Sequence, residues 1–152
     1  MDIFDLVLVL CAVAFNLLII GVLITTKRAR PELRRMFGAV FVALGIPFAV
    51  VFVSYLFQGR NLQTLILCGF VLVYIAVEFL LDYILKIDFR SKPITHVLYI
   101  ILEYIALFSL IRITFSIDRT WGWIVSLAFW AVIASLIYLY WGKEKQPART
   151  LS

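Results

Sequence analysis

Five long apolar runs are the feature of this sequence that most limits the fold it can adopt. Each contains about 20 residues or more, and at about 1.5 Å per residue a helix of that length crosses a hydrocarbon core of about 30 Å. The runs cover residues 3–26, 37–58, 62–85, 94–117 and 122–141. Apolar residues make up 64% of the 152 residues, more than a soluble domain of this size can bury. We therefore expect an all-α integral membrane protein, a bundle of five transmembrane helices that forms a single domain over residues 1–152.

Lysine and arginine residues fall mainly on one side of the predicted bundle. With five spans, only Arg60 and Arg119 lie in loops on the side of the N-terminus. Because cytoplasmic loops collect positive charge, we expect the N-terminus outside and the C-terminus in the cytoplasm. The compact loops favour a prokaryotic plasma membrane. The basic residues on the cytoplasmic side are Lys27, Arg28, Arg30, Arg34, Arg35, Lys86, Arg90, Lys92, Lys143, Lys145 and Arg149.

The net charge of +5 is carried by these cytoplasmic segments. Membrane topology and attraction to anionic lipids account for that charge, so we expect no nucleic-acid partner. The lipid bilayer is the expected partner, with anionic headgroups meeting the first basic segment at Lys27, Arg28, Arg30, Arg34 and Arg35.

Four ionisable residues interrupt the third and fourth apolar runs. A charged side chain near the bilayer centre costs roughly 2.5–3.5 kcal/mol on insertion scales, so such residues usually have a partner, a water-filled cavity or a function. Glu78 and Asp82 are four residues apart and share one helix face, while His96 and Glu103, seven apart, share another. By helical rise, Glu78 and Glu103 lie at a common depth of about 10–15 Å from the cytoplasmic end. We expect two layers, Glu78 with Glu103 and Asp82 with His96.

Other spans supply polar groups at a similar depth. Asn16 is the one amide in the middle of the first span, and Ser135 adds a hydroxyl on the fifth. Gly45 and Pro47 interrupt the second span, where the proline frees a backbone carbonyl. We therefore predict a polar pocket in the cytoplasmic half of the bundle. The predicted ligand- or proton-binding residues are Glu78, Glu103, Asp82, His96 and Asn16.

Three functions remain open for this cluster. Polar side chains between spans hold helices together, as in a non-catalytic subunit, a regulator or a sensor. Alternatively, two acids at one depth share a proton that a cation or a basic ligand displaces, as in a transporter or a ligand-binding protein. The third is a membrane-embedded metal-dependent enzyme, since carboxylate and imidazole ligands suit zinc, manganese or iron. With one histidine and neither an HExxH nor a repeated ExxH pattern, the sequence disfavours an enzyme, and it assigns no catalytic residue and no cofactor.

Residues 16–41 resemble the first helical hairpin of the multispan sensor region of bacterial histidine kinases. The likeness lies in Asn-Leu-Leu at 16–18, the basic loop and Arg-Arg-Met-Phe at 34–37, and it covers about a sixth of the chain. Since these residues contain no kinase domain, the resemblance implies a stand-alone sensor module. Five spans are few for a monomeric transporter, so we also expect a homo-oligomer or a membrane-protein partner.

Overall fold

A computed structural model of the protein describes residues 1–85 and 93–141, except for the side chains at positions 82, 83, 85 and 93–96. Within these residues the chain is helical and contains no strand. The helix of the third span continues into a π-helical turn at Leu80–Leu85. In this part of the chain, five lengths of helix are long and apolar enough to cross a membrane, which confirms the predicted number; the second is Pro31–Phe57, which Leu44 interrupts. The helices are α1 (Ile3–Lys27), α2 (Pro31–Ala43), α3 (Gly45–Phe57), α4 (Leu62–Phe79), α5 (Pro93–Ile117) and α6 (Arg119–Tyr140).

The first connection is shorter than the predicted basic loop of residues 27–35. Helix α1 ends at Lys27, the chain turns through Ala29 at a φ of 51°, and α2 begins at Pro31. Proline fits the first position of a helix because its φ is already helical and no donor is needed there. Arg34 and Arg35 therefore belong to α2 rather than to a loop.

The second span is interrupted where Gly45 and Pro47 predicted a break. Leu44 separates α2 from α3, and its backbone N–H still reaches the carbonyl oxygens of Val40 at 3.1 Å and Phe41 at 3.2 Å. The break in the helix is therefore slight, because these backbone hydrogen bonds continue up to it. A Cβ atom on Gly45 would lie 3.0 Å from the Ile75 side chain, so the small residue allows α4 to approach closely.

The helices close into a ring in the order α1, α2 with α3, α4, α5 and α6, and α6 packs against α1. Side chains from every helix meet in the core, for example Phe15, Val71 and Leu110. Large apolar side chains also cover the outside, among them Leu127 and Trp130. An apolar exterior around a helical ring is the arrangement expected of a lipid-facing bundle.

One end of the ring is rich in basic residues. Lys27, at the end of α1, lies beside Tyr138 and Trp141 near the end of α6. Helices α1 and α6 therefore run parallel. We call this the basic end and define it by Lys27, Arg28 and the last turn of α6. The opposite end carries the N-terminus of α1 and the α3–α4 connection.

Candidate functional site

A cavity of about 290 Å³ lies inside the ring, in the half next to the basic end. Every helix except α3 contributes to its wall, so it lies between the helices of the bundle and is partly open to the outside. Its volume is close to the lower limit of the range of about 300–1,000 Å³ found for small-molecule sites. The lining residues are Ile19, Val22, Leu23, Thr26, Gly38, Phe41, Tyr74, Glu78, Tyr99, Ile100, Glu103, Leu136, Leu139 and Tyr140.

Glu78 is the buried carboxylate of this cavity, and two tyrosines connect it to the facing helix. The Tyr99 hydroxyl on α5 donates a hydrogen bond to the Glu78 carboxylate on α4. The Tyr99 and Tyr74 hydroxyls are themselves 2.8 Å apart. A phenol has one proton to donate, so Tyr74 donates to Tyr99 and Tyr99 donates to Glu78. This chain of hydrogen bonds joins α4 to α5 and orders the polar wall of the cavity.

Glu103 is half-buried and lines the same cavity from α5. It lies four residues after Tyr99, so the two side chains share one helix face. Glu78 and Glu103, which we expected at a common depth, are thus brought to one cavity from two adjacent helices.

Asn16 is buried, but it is not among the described residues that line the cavity. Its amide nitrogen donates to the Ala12 carbonyl at 2.8 Å. Among the described residues its side-chain oxygen has no hydrogen-bond partner. Ser135, expected in the same polar layer, donates to the Ala131 carbonyl at 2.8 Å within its own helix. The next residue, Leu136, lines the cavity in its place.

Asp82 and His96 were predicted to form the second layer. Their backbone lies in helical segments, Leu80–Leu85 and Pro93–Ile117. Their side chains lie outside the described part of the structure, so the expected contact between them stays a prediction.

Aromatic rings form one continuous wall of the cavity. The ring centroids of Phe41 and Tyr74 are 5.8 Å apart, and those of Tyr74 and Tyr99 are 5.6 Å apart. Behind them, Phe15 packs on Phe41 at 4.7 Å. The sequence analysis singled out neither Phe41 nor Tyr74. One signal in the sequence could have identified Tyr74. It lies four residues before Glu78, and that spacing puts both side chains on one helix face.

A second polar cluster lies at the opposite end, and the sequence did not predict it. The buried Asp5 accepts a hydrogen bond from the Tyr55 hydroxyl at 2.7 Å and pairs with the Arg60 guanidinium at 3.0 Å. Asp5 also accepts from the backbone N–H of Asp2, completing a capping box at the start of α1. Asp5 and Arg60 are 55 positions apart, so no local pattern in the sequence would reveal the pair.

Lys27 connects the ends of α1 and α6 beside the cavity. Its ammonium group donates to the carbonyl oxygen of Tyr138 and, at 3.2 Å, to that of Trp141. It also lies 3.4 Å from the centroid of the Tyr138 ring. A cation at the last carbonyls of a helix is stabilised by the helix dipole. Lys27, predicted to meet lipid headgroups, therefore also holds α6 against α1.

Comparison with known proteins finds no matching family model, no matching curated protein and no matching solved structure. In the described part of the chain, no three histidine, cysteine, aspartate or glutamate side chains come together as a metal site would require. The arrangement offers two carboxylates, a tyrosine hydrogen-bond chain and an aromatic wall around one cavity.

Proposed function

We propose that this chain is a multi-pass membrane protein that binds a small ligand inside its helical ring and acts as a sensor or a transporter. Glu78 and Glu103 are the groups that bind a proton or a cation. Asp82 follows Glu78 and His96 precedes Glu103, so both are nearer the basic end than the two glutamates. We assign to them the path of the proton or cation toward that end. Asn16 has a supporting role behind the wall.

The orientation follows from charge. The positive-inside rule places the side with most lysine and arginine residues in the cytoplasm, and in this bundle that side is the basic end. We therefore place the N-terminus outside, the C-terminus in the cytoplasm and the cavity in the cytoplasmic half of a prokaryotic plasma membrane. Lys27, Arg28, Arg30, Arg34 and Arg35 then lie near anionic headgroups.

The observation that carries the proposal is the space itself. Protein interiors pack densely and rarely leave voids larger than a water molecule. If Glu78 and Glu103 only held helices together, close packing around them would serve that role better than a cavity of about 290 Å³. A concave space with convergent polar groups is the usual form of a ligand site.

Coupling between the two acids also supports the proposal. Two carboxyl groups in one cavity of low polarity do not both ionise freely, so they titrate as a pair and hold a proton between them. Such a pair exchanges its proton when a cation enters, and this exchange couples ligand binding to proton release. A five-span chain that performs transport needs more helices, so we expect a homo-oligomer or a membrane-protein partner.

Infrared difference spectroscopy across pH tests this role on the purified protein in lipid. We expect a carboxylic C=O band that changes with pH and is removed or displaced by Glu78→Gln and by Glu103→Gln. Glu32→Gln is the matched control, since Glu32 is exposed in the first turn of α2 and away from the cavity. Carboxyl bands that do not respond to pH in any sample would contradict the proposal and leave the acids a structural role.

A further inference from the structure

We propose that the outward face of α6 is the surface on which a second copy of this chain packs, helix against helix, in the membrane. A homo-oligomer or a membrane-protein partner was expected, and this face identifies the partner as a second copy. The inference rests on the membrane location of the chain and is independent of the ligand of the cavity. Six exposed residues define the face, which we call the outer strip: Trp123, Leu127, Trp130, Ala134, Ile137 and Trp141.

The outer strip has the spacing of a seam between two helices. Its members alternate four and three residues apart from one end of α6 to the other. That alternation keeps a row of side chains facing one neighbouring helix, and most pairs of membrane helices cross with this left-handed geometry. Leu136 and Leu139, which line the cavity, lie on the other side of α6. A partner can therefore occupy the strip without replacing any part of the cavity wall.

Trp130 brings a polar group to the middle of the hydrocarbon core. It lies eleven residues after Arg119 and ten before Tyr140, and 65% of its surface is exposed. Tryptophan is typical of the membrane interfaces, where water and headgroups accept a hydrogen bond from the indole N–H. Lipid acyl chains contain no acceptor, and the indole makes no hydrogen bond within the residues that the structure describes. Another protein surface is the source of an acceptor at this depth.

The matching acceptor lies one turn away on the same helix. Ser126 is half-buried, and its hydroxyl forms no hydrogen bond to any described residue, whereas the Ser135 hydroxyl donates to the Ala131 carbonyl. Helical side chains lean toward the N-terminus of their helix, so the Trp130 indole reaches the level of Ser126 on a parallel neighbour. Polar pairs of this kind join helices across membrane interfaces.

A second copy satisfies both groups at once. Two copies follow the same topology rule and share one orientation, so their α6 helices run parallel. A two-fold axis along the membrane normal brings each residue near its counterpart and makes the contact between Trp130 and Ser126 twice. Such pairing also brings like charges together, and residues 120–141 contain no charged side chain. The outward face of α5 carries the exposed Arg112, so a two-fold contact through that helix would oppose two positive charges.

The outer strip is also large enough for a stable dimer. At about 250 Å² for a whole tryptophan, the exposed fractions of Trp123, Trp130 and Trp141, which are 57%, 65% and 77%, amount to about 500 Å². Leu127 and Ile137 add to this area, so the strip approaches the value of about 800 Å² per partner in a standard interface.

Disulfide cross-linking of the purified protein in liposomes tests the surface. In a variant with Cys11 and Cys68 replaced by alanine, Leu127→Cys and Ala134→Cys should each give covalent dimers under mild oxidation. The two-fold axis places each new cysteine beside its counterpart. Phe108→Cys is the matched control, because Phe108 is exposed on the outward face of α5 and should give no dimer. Equal cross-linking at position 108 would indicate random collision and would overturn the inference.

Two substitutions test the hydrogen bond across the interface. Trp130→Phe keeps an aromatic ring and removes the donor, and Ser126→Ala removes the acceptor. Each should weaken dimerisation at least about threefold, as measured by single-molecule photobleaching at decreasing protein density in liposomes. The double variant should lose no more affinity than the weaker single variant, because both changes remove the same contact. Ser135→Ala is the control and should keep the parent affinity, since its hydroxyl is bonded within its own helix.

Circular dichroism checks that each variant keeps its helix content. If Ser126→Ala does not fold, Trp130→Phe and the cross-linking variants decide the result, because their side chains are exposed. Unchanged affinity in Trp130→Phe would overturn the inference, since the strip would then lack the contact that distinguishes a second copy from lipid. A monomer at every protein density would overturn it as well.

Failure of this inference differs from failure of the proposed function. A monomer whose carboxyl bands respond to pH overturns the second copy on α6 and retains the role of Glu78 and Glu103. A dimer cross-linked through the outer strip, with carboxyl bands that do not respond to pH, supports the second copy and overturns that role.

Discussion

At the residue scale, two buried carboxylates each accept a hydrogen bond from a tyrosine hydroxyl on another helix. Asp5 is paired with Tyr55, and Glu78 is paired with Tyr99. A buried carboxylate loses its water shell, and a charged group is tolerated only when such partners replace that shell. The two sites differ in their surroundings. Asp5 also pairs with the guanidinium of Arg60, and Glu78 lines the cavity.

The first residue-scale prediction concerns the hydroxyl of Tyr55, which is almost fully buried against Asp5. Tyr55→Phe should lower the free energy of unfolding by about 1.5–3 kcal/mol, the value of a hydrogen bond to a charged group. Equilibrium unfolding in mixed detergent micelles, followed by circular dichroism, measures the change.

Tyr104→Phe is the matched control for that measurement. The ring of Tyr104 is half-buried and packs edge-on against Phe129, with centroids 6.2 Å apart. Removing its hydroxyl should change stability by no more than about 0.5 kcal/mol. Equal losses in the two variants would show that the Asp5 contact has no special weight. A double-mutant cycle of Tyr55→Phe with Arg60→Gln then separates the hydrogen bond from the ion pair.

At the element scale, the turn between α5 and α6 depends on Gly122, which has no side chain. Asp118 caps α6 by accepting from the backbone N–H groups of Thr120 at 2.8 Å and Trp121 at 3.1 Å. The Phe115 ring then folds back over Gly122, where a Cβ atom would clash with the ring. The close approach of ring and backbone sets how tightly the last two helices pack.

Gly122→Ala should therefore destabilise the protein by about 1–3 kcal/mol, because the added methyl group forces the Phe115 ring to move. Gly69→Ala is the matched control, since Gly69 lies within α4 and a Cβ atom there would meet no atom of the described residues within 4 Å. That variant should be stabilised by roughly 0.5–1 kcal/mol through the lower backbone entropy of alanine. Thermal unfolding of both variants supplies the comparison.

A second substitution identifies the cause. Phe115→Leu combined with Gly122→Ala should recover most of the loss, because leucine leaves room for the methyl group. No recovery in the double variant would mean that Gly122 matters for another reason than contact with Phe115.

Sequence patterns predicted the elements well and their ends less well. The apolar runs identified all five spans, and Gly45 with Pro47 indicated the interruption of the second. The predicted start of that span at residue 37 was late, since the helix begins at Pro31. Arginines in the first turns reduced the apolar signal, although they are compatible with a helix whose end meets water.

At the scale of the whole molecule, the ring has two polar ends with different chemistry. The opposite end carries the Asp5–Arg60 ion pair, and at the basic end the Lys27 ammonium group binds the carbonyls of α6. The cavity lies next to the basic end. A ligand exchanging with the aqueous phase thus has its shorter path on the side that we assign to the cytoplasm.

Cysteine labelling in intact cells tests that orientation. In a variant with the buried Cys11 and Cys68 replaced by alanine, Gln63→Cys and Arg30→Cys place one reporter at each end of the ring. A membrane-impermeant maleimide should label the cysteine at position 63 in intact cells and the one at position 30 only after lysis. The reverse pattern would contradict the assigned orientation, and labelling of both in intact cells would indicate two orientations.

The sequence by itself determined that this chain forms five apolar helices and that Glu78 and Glu103 lie at similar positions along two of them. Both properties follow from the length of apolar runs and the fixed rise of a helix, which are local. Only the tertiary structure decided that Tyr99 joins Glu78, that Asn16 and Ser135 stay out of the cavity wall, and that Arg60 pairs with Asp5. These contacts depend on how each helix is rotated and which helices are neighbours, and in an apolar chain many rotations fit the same hydrophobic pattern.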